Sequence, residues 1–163
     1  MKWLVFPIFY FLYWGMCFLC TGTQKKNLLG LRSYPEQVQS VIYHDPVLSR
    51  QAPKKKSIAQ ILLSNLLLFA VVFSLLGRIF RRAFALTDFS AAFVYFLLLG
   101  EGLGLFDLLV IDLLWWRNTR RIRFDCLPDK KYYRDSSKHI GSFLRGIPLF
   151  AAVAAVAAGV TVL

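Results

Sequence analysis

Four long apolar stretches constrain the fold of this chain more than any other feature of its sequence. They cover residues 3–20, 58–77, 89–116 and 147–163. About 17 to 25 apolar residues suffice to cross the hydrocarbon core of a bilayer as a helix, and backbone groups in lipid must be satisfied within the segment itself. The sequence therefore predicts an all-α membrane protein, with residues 1–163 forming a single domain, a bundle of four transmembrane helices.

Composition supports this class, because 57% of the 163 residues are hydrophobic and 16% are aromatic, which exceeds the usual content of soluble domains. The first stretch could instead be a cleaved signal peptide, since Lys2 precedes it. Its apolar run is long, however, and the residues around Cys20 offer no small-x-small cleavage site. We expect residues 3–20 to remain in the protein as a membrane helix.

The basic residues orient the predicted bundle. Segments 21–57 and 117–145 hold seven and nine of the 20 Lys and Arg residues, and the other four are Lys2, Arg78, Arg81 and Arg82. Because short positively charged loops stay in the cytoplasm, we expect both termini outside and two basic cytoplasmic loops, in a multi-pass protein of the cytoplasmic (inner) membrane. The net charge of +11 then indicates anionic lipid headgroups as the partner of the loops, and no nucleic acid.

The third stretch carries three carboxylates, Glu101, Asp107 and Asp112. An ionisable group at the centre of a bilayer costs about 2.5 to 3.5 kcal/mol, so we expect these side chains to face the protein interior. In the functional interpretation they line a path for protons or a cation, or hold a polar headgroup. An α-helix turns about 100° per residue, which places Glu101 and Asp112 on one face and Asp107 on another. In the alternative interpretation the acids only fix helix packing, with Asp112 paired to an arginine.

Glycines surround Glu101, at positions 100, 102 and 104. Residues 89–116 would span about 42 Å as one straight α-helix, more than the roughly 30 Å of a hydrocarbon core. The glycines predict either a break in this helix or a close contact with a neighbouring helix. The sequence leaves both alternatives open.

Other polar residues complete the predicted sites. Gln60 and Asn65 in the second stretch are expected at depths comparable with the two aspartates. Arg145, near the start of the fourth stretch, is the expected partner of Asp112. The residues predicted to bind lipid headgroups follow the third stretch and are Arg117, Arg120, Arg121 and Arg123.

Two further segments carry a helical packing pattern. In the last stretch, Ala155 and Gly159 have the small-xxx-small spacing that lets membrane helices approach closely. In the first loop, Val38, Val41 and Ile42 lie at helical spacing after Pro35. This loop segment is predicted to form a short amphipathic helix on the membrane surface.

The cysteines suggest a metal site only weakly. Cys17 and Cys20 form a C-x-x-C, and Cys126 with His44 or His139 could complete a zinc site. Reduced thiols that behave as small hydrophobic side chains are the more common outcome for such a pair within an apolar helix. We therefore expect no metal and no cofactor.

Segments 34–38, 53–59 and 112–124 read YPEQV, PKKKSIA and DLLWWRNTRRIRF. In these segments the chain resembles a family of small integral membrane proteins found in Gram-positive bacteria, and the resemblance extends over most of the chain. It implies a bacterial membrane protein and brings no activity with it.

Two classes of function remain. The first is a small transporter or a non-catalytic subunit of a transport complex, which would bind another membrane protein or a second copy of this chain. The second is an intramembrane enzyme that acts on a lipid or isoprenoid substrate. No clustered histidines, Ser-His pair or phosphate-binding loop lies near the acids, which favours the first class over an enzyme.

Overall fold

The computed structural model describes residues 2–163, and the regular structure in this range is all helical. Met1, the first residue of the predicted domain, lies outside the described residues. The seven α-helices are α1 (Val5–Leu19), α2 (Gln24–Leu29), α3 (Glu36–His44), α4 (Leu48–Gln51), α5 (Ile58–Phe80), α6 (Phe89–Phe106) and α7 (Ser137–Val162). Short 3-10 helices cover Lys2–Leu4, Leu31–Ser33 and Lys130–Tyr133, and a π-helical segment, Asp107–Trp116, continues α6.

The predicted all-α class is confirmed, and the long helices follow the apolar stretches. Helix α5, α6 together with the π segment, and α7 are long and apolar enough to cross a membrane, whereas α1 is a shorter apolar helix of 15 residues. Helix α7 begins at Ser137, well before the apolar stretch that starts at residue 147. Its first turns therefore carry polar side chains, among them His139.

Local capping chemistry sets where α5 and α6 begin. Ser57 and Gln60 form a reciprocal capping box, in which each side chain accepts a hydrogen bond from the other residue's backbone N–H. The Asp88 carboxylate accepts a bond of 2.9 Å from the N–H of Ala91 in the first turn of α6. These contacts satisfy backbone groups that have no partner within the helix.

The chain forms two compact units, each assembled from separate segments. The first unit comprises Met1–Tyr10, Lys56–Leu105 and Phe143–Leu163, and the second comprises Phe11–Lys55 and Phe106–Ser142. The core of the first unit is aromatic. The fully buried ring of Phe73 stacks on Phe96, with centroids 5.7 Å apart, and on Phe150, at 6.4 Å.

Close helix contacts in the first unit use small residues of α7, but not the predicted pair. Ala154 and Ala158 are fully buried, while Ala155 is exposed and a methyl group added at Gly159 would meet no atom within 4 Å. The predicted packing face at Ala155 and Gly159 is therefore wrong. The buried stripe lies one residue earlier, and single-residue shifts rotate a helix face by about 100°.

The glycines around Glu101 provide close contact and no break. Helix α6 continues through them to Phe106. A methyl group at Gly100 would lie 2.7 Å from the Phe150 ring, and one at Gly102 would overlap the Tyr10 hydroxyl. The Tyr10 hydroxyl also donates to the Leu99 carbonyl at 3.2 Å. Of the two alternatives left by the sequence, close contact is the one observed.

The second unit has its own hydrophobic core, built from the two segments predicted as cytoplasmic loops and from Trp116 at the end of the third apolar stretch. Tyr34 is fully buried at its centre, with its ring 5.2 Å from those of Trp116 and Phe124. Its hydroxyl donates to the Ile122 carbonyl at 2.7 Å. The other core residues are Leu28, Leu31, Val38, Ile42, Leu48, Leu127 and Tyr133.

This core changes the interpretation of the amphipathic segment. Val38 and Ile42 of α3 are fully buried within the second unit, and only Val41 of the predicted apolar face is exposed. The prediction that these residues lie on the membrane surface is therefore wrong for Val38 and Ile42. Their burial removes apolar area from water within the protein itself.

Arg121 connects two segments of the second unit. Its guanidinium lies 3.9 Å from the centroid of the Phe18 ring and donates to the Phe18 carbonyl near the end of α1. Gly22 has a positive φ of 99°, and a side chain there would overlap this guanidinium. The buried Asn27 also links these two segments. Its Oδ1 accepts a hydrogen bond from the N–H of Gly22, and its Nδ2 donates to the Arg121 carbonyl.

Candidate functional site

The π-helical segment places two of the three predicted acids together. In an α-helix, residues five apart differ by about 140° in direction. In a π-helix the backbone bonds join residues five apart, so Asp107 and Asp112 lie on a common face of the segment. The prediction that Glu101 and Asp112 share one helix face assumed α-helical winding throughout, and that winding ends at Phe106. π-helical turns are rare in proteins, and those that occur are frequently found at functional sites.

His139 completes this cluster. Its Nδ1 lies 2.8 Å from Oδ2 of Asp112, and the two side chains are only 7% and 16% exposed. The start of α7 positions the histidine, because the carboxylate of Asp135 accepts hydrogen bonds from the backbone N–H and hydroxyl of Ser137. From the sequence, His139 was predicted only as a possible zinc ligand, and Arg145 was the expected partner of Asp112. Arg145 belongs to the first unit and has an exposed side chain.

Two residues of α1 lie at the same cluster. Tyr13 and Cys17 are hydrogen bonded to each other, and both are close enough to Asp107 and Asp112 for electrostatic interaction. Asp107 interacts in the same way with Asp112 and His139. We call these five side chains the carboxylate–histidine cluster: Tyr13, Cys17, Asp107, Asp112 and His139.

The carboxylate–histidine cluster has the composition of a proton-exchange site. Two carboxylates in an apolar environment are stabilised by a proton shared between them, by a protonated imidazole or by a bound cation. His139 supplies an imidazole, a side chain whose ring nitrogens can both donate and accept a proton. The arrangement can therefore hold and release a proton.

Glu101 forms a separate polar position in the first unit. Its Oε1 atom is buried and accepts no hydrogen bond from the described residues. The backbone on both sides is packed tightly, against the ring of Phe150 at Gly100 and the hydroxyl of Tyr10 at Gly102. A buried carboxylate oxygen without a donor is costly, which distinguishes Glu101 from the partnered Asp112.

The predicted polar neighbours in α5 have different environments. The Gln60 side chain is engaged in the capping box with Ser57, so its role in the structure is to start the helix. Asn65 is half-buried in α5. Both belong to the first unit.

The four arginines predicted to bind headgroups do not act as one group. Arg121 is engaged with Phe18, as described above. Arg117 lines a recess of about 180 Å³ together with Leu113, Asn118, Lys130 and Arg134. Arg120 and Arg123 line a second recess of about 430 Å³ together with Phe124, Asp125 and Pro128. Lys130 and Arg134 were not among the four predicted headgroup ligands, because only the fold of the second loop brings them beside Arg117.

The cysteines do not form a metal site in the described part of the chain. Cys17, Cys20 and Cys126 are all free thiols. Among residues 2–163 no group of three His, Cys, Asp or Glu side chains has the arrangement needed to hold a metal ion. The hydrogen bond of Cys17 to Tyr13 instead places this thiol in the carboxylate–histidine cluster.

Comparisons with known proteins add no functional assignment. No protein-family model, curated protein or solved structure matches this chain. The resemblance to small membrane proteins of Gram-positive bacteria stays a prediction. The functional interpretation therefore depends on the geometry of the sites described above.

Proposed function

We propose that this chain is a small multi-pass protein of the cytoplasmic membrane that couples protons or a small cation through the carboxylate–histidine cluster. It would act as a small transporter or as a non-catalytic subunit of a transport complex. The observation that carries the proposal is the pairing of Asp112 with His139 on a π-helical segment that also bears Asp107. Ionisable residues inside a membrane segment mark ion pathways and proton relays more often than packing positions.

The membrane topology in this proposal rests on helix length and charge. Three helices are long and apolar enough to cross a membrane, and α1 adds a fourth apolar helix of 15 residues. The α5 surface supports a lipid environment, because its large apolar side chains are exposed, including Leu67 and Leu75 at 59% and 56%. The basic bias of the two loops then puts both termini outside.

Flux measurements in liposomes test the coupling proposal. The purified full chain is reconstituted, a pH or cation gradient is imposed, and ion movement is followed with a fluorescent indicator. We expect Asp107→Asn and Asp112→Asn each to lower flux at least about tenfold. An asparagine cannot exchange a proton or balance the charge of a cation, so the transported ion would lose its binding group. Asp125→Asn is the matched control, because this aspartate is exposed in the second loop. Equal flux in the cluster variants and the control would refute the coupling role.

A subunit would show no flux alone, so the complex is examined in parallel. Native mass spectrometry of the protein released from its own membrane measures whether a stoichiometric protein partner is present. With a partner found, the same aspartate variants are tested in the intact complex. Absence of both flux and partner would contradict the proposal.

Glu101 is proposed as a second ion-coupling group. Its buried and unsatisfied Oε1 supports this role, because a carboxylate kept without a donor is poorly explained by packing alone. Glu101→Gln keeps the shape and removes the titratable charge, so it should preserve the thermal stability and lower flux. A Gln variant with unchanged flux would make Glu101 a packing residue.

The second candidate function is an intramembrane enzyme with a lipid or isoprenoid substrate. The recess lined by Arg120 and Arg123 favours it, since two guanidinium groups there could hold a substrate phosphate. A lipid-like molecule retained in native mass spectrometry and chemically changed during incubation would support this alternative. Retention without change would leave the transport proposal preferred.

A further inference from the structure

We infer that Arg117, Lys130 and Arg134 bind the phosphate group of an anionic membrane lipid in the recess that they line. This inference rests on the proposed membrane topology, which puts both basic loops at the inner surface. It does not depend on ion coupling by the carboxylate–histidine cluster. The site combines residues from the end of one long helix and from the 3-10 helix at Lys130–Tyr133.

The geometry of the recess holds the cations in place. Arg117 donates through Nη2 to the Arg134 carbonyl at 2.6 Å, and Lys130 donates through Nζ to Oδ1 of Asn118 at the same distance. Both partners are uncharged oxygens, so neither cation is neutralised by its contact. The Arg134 side chain is exposed, and its guanidinium is free to meet a ligand at the mouth of the recess.

The residues that line the recess include three cations and no acid. Two neighbouring carboxylates lie outside this lining. Asp135, which interacts electrostatically with Arg117, accepts two hydrogen bonds from Ser137 that hold its pKa below the usual range. Asp129 pairs with Lys131 at 3.1 Å. The recess therefore keeps a positive field that a phosphate would complement.

The apolar side of the recess favours a lipid over a free phosphate. Leu113 lines it, and the neighbouring Leu114 is 65% exposed on the apolar π segment. The nearby Trp115, which is half-buried, is the type of residue enriched where a membrane meets water. A headgroup phosphate in the recess would thus leave its acyl chains beside exposed leucine, which a soluble phosphate cannot exploit.

The larger recess at Arg120 and Arg123 lacks these features. Asp125 lies among its lining residues, so one carboxylate offsets part of the positive charge. We therefore place the lipid phosphate in the recess at Arg117.

The test is a titration of the full chain in neutral detergent with phosphatidylglycerol, followed by native mass spectrometry. The test variant is Lys130→Gln with Arg134→Gln. The matched control is Arg50→Gln with Lys54→Gln, which removes the same charge from exposed residues of the other basic loop. One basic residue at a lipid surface contributes about fivefold to binding. We expect a loss of about 25-fold in the test variant and less than about twofold in the control.

Folding of the test variant is checked by thermal unfolding. If the double variant does not fold, Arg134→Gln alone is used as the test variant. This substitution keeps the backbone carbonyl of Arg134, which accepts the hydrogen bond from Arg117. This single variant should lose about fivefold in lipid affinity. Equal losses in the test and control variants would overturn the site, because binding would then follow net charge.

Competition identifies the source of the phosphate. Glycerol phosphate, which has no acyl chains, should not displace phosphatidylglycerol at equal concentration. Displacement would overturn the lipid assignment. Ion flux of the Lys130 and Arg134 variants should equal that of the natural protein. Loss of lipid binding with flux intact would support the site. Lipid binding in a protein that shows neither flux nor a protein partner would support the site and contradict ion coupling alone.

Discussion

Asp112 and His139 lie 2.8 Å apart, Oδ2 to Nδ1, and both side chains are largely shielded from solvent. One comes from the π-helical segment and the other from the first turn of α7. The ring of Trp116 lies 6.5 Å from that of His139, and the same tryptophan packs on Tyr34. The polar pair is thus connected by packing to the aromatic core of the second unit.

We predict that Asp112 and His139 stabilise the fold as a coupled pair. Asp112→Asn and His139→Gln should each lower the apparent free energy of unfolding by about 1.5 to 3 kcal/mol, as expected for a shielded hydrogen bond to a charged group. The double variant should lose less than the sum of the single losses. Thermal unfolding in detergent measures the stability of the natural protein, the two single variants and the double variant. Strictly additive losses would show that the two side chains do not interact.

The topology is predicted from the charge of the loops. Reporter fusions placed after Lys56 and after Arg134 should behave as cytoplasmic, and a fusion after Leu163 should behave as external, because positively charged loops are retained inside. Paired reporters that are active only on one side of the membrane provide the measurement. An external signal at Lys56 would reverse the proposed orientation.

The Tyr34 hydroxyl is predicted to stabilise the core of the second unit. Tyr34→Phe leaves the Ile122 carbonyl without its buried donor, so the unfolding free energy should fall by about 1 to 3 kcal/mol. Tyr132→Phe is the control, since Tyr132 is partly buried against this core and its other contact is with the exposed Lys131. Equal stability of the two variants would contradict the role of the hydroxyl.

Burial also predicts an alkaline transition. It raises the pKa of both Tyr34 and Tyr133 above the ordinary tyrosine value, which is about 10 in an unfolded chain. Above that pH the unfolded state releases the two protons more readily than the folded state, so stability is complete below about pH 10 and falls as the pH rises further. Tyrosinate absorbance during an alkaline titration should show these two residues ionising with unfolding. Their titration at the ordinary value in the folded protein would refute this.

Gly77 is predicted to be required for close packing in the first unit. A methyl group there would overlap Thr161 Oγ1 and lie 2.9 Å from the Phe96 ring, so Gly77→Ala should lower stability by about 1 to 3 kcal/mol. Thr161→Ala in the same chain should recover part of this loss. Gly159→Ala, which meets no atom within 4 Å, should be neutral or stabilising by up to about 1 kcal/mol. Thermal unfolding in detergent distinguishes these outcomes, and a neutral Gly77→Ala would show that the contact adapts.

The apolar helices could be predicted from the sequence, because length and hydrophobicity are local properties. Helices α5 and α6 begin at Ile58 and Phe89, where the apolar stretches begin. The carboxylates at 101, 107 and 112 were recognisable for the same reason, since charge within an apolar run needs no tertiary information. The glycines around Glu101 indicated a special contact, although not which kind.

Which side chains come together at the candidate sites was decided only by the tertiary structure. The π winding that puts Asp107 and Asp112 on one face, the arrival of His139 beside Asp112, and the recess at Arg117 depend on how distant segments pack. The small-residue face of α7 was misplaced by one position, because alanines are apolar on every side of that helix and periodicity alone cannot choose between them. The amphipathic pattern at Val38 and Ile42 correctly indicated a buried helix face. A protein core and a membrane surface can both bury such a face. Here the aromatic residues of the second loop form the core that buries it.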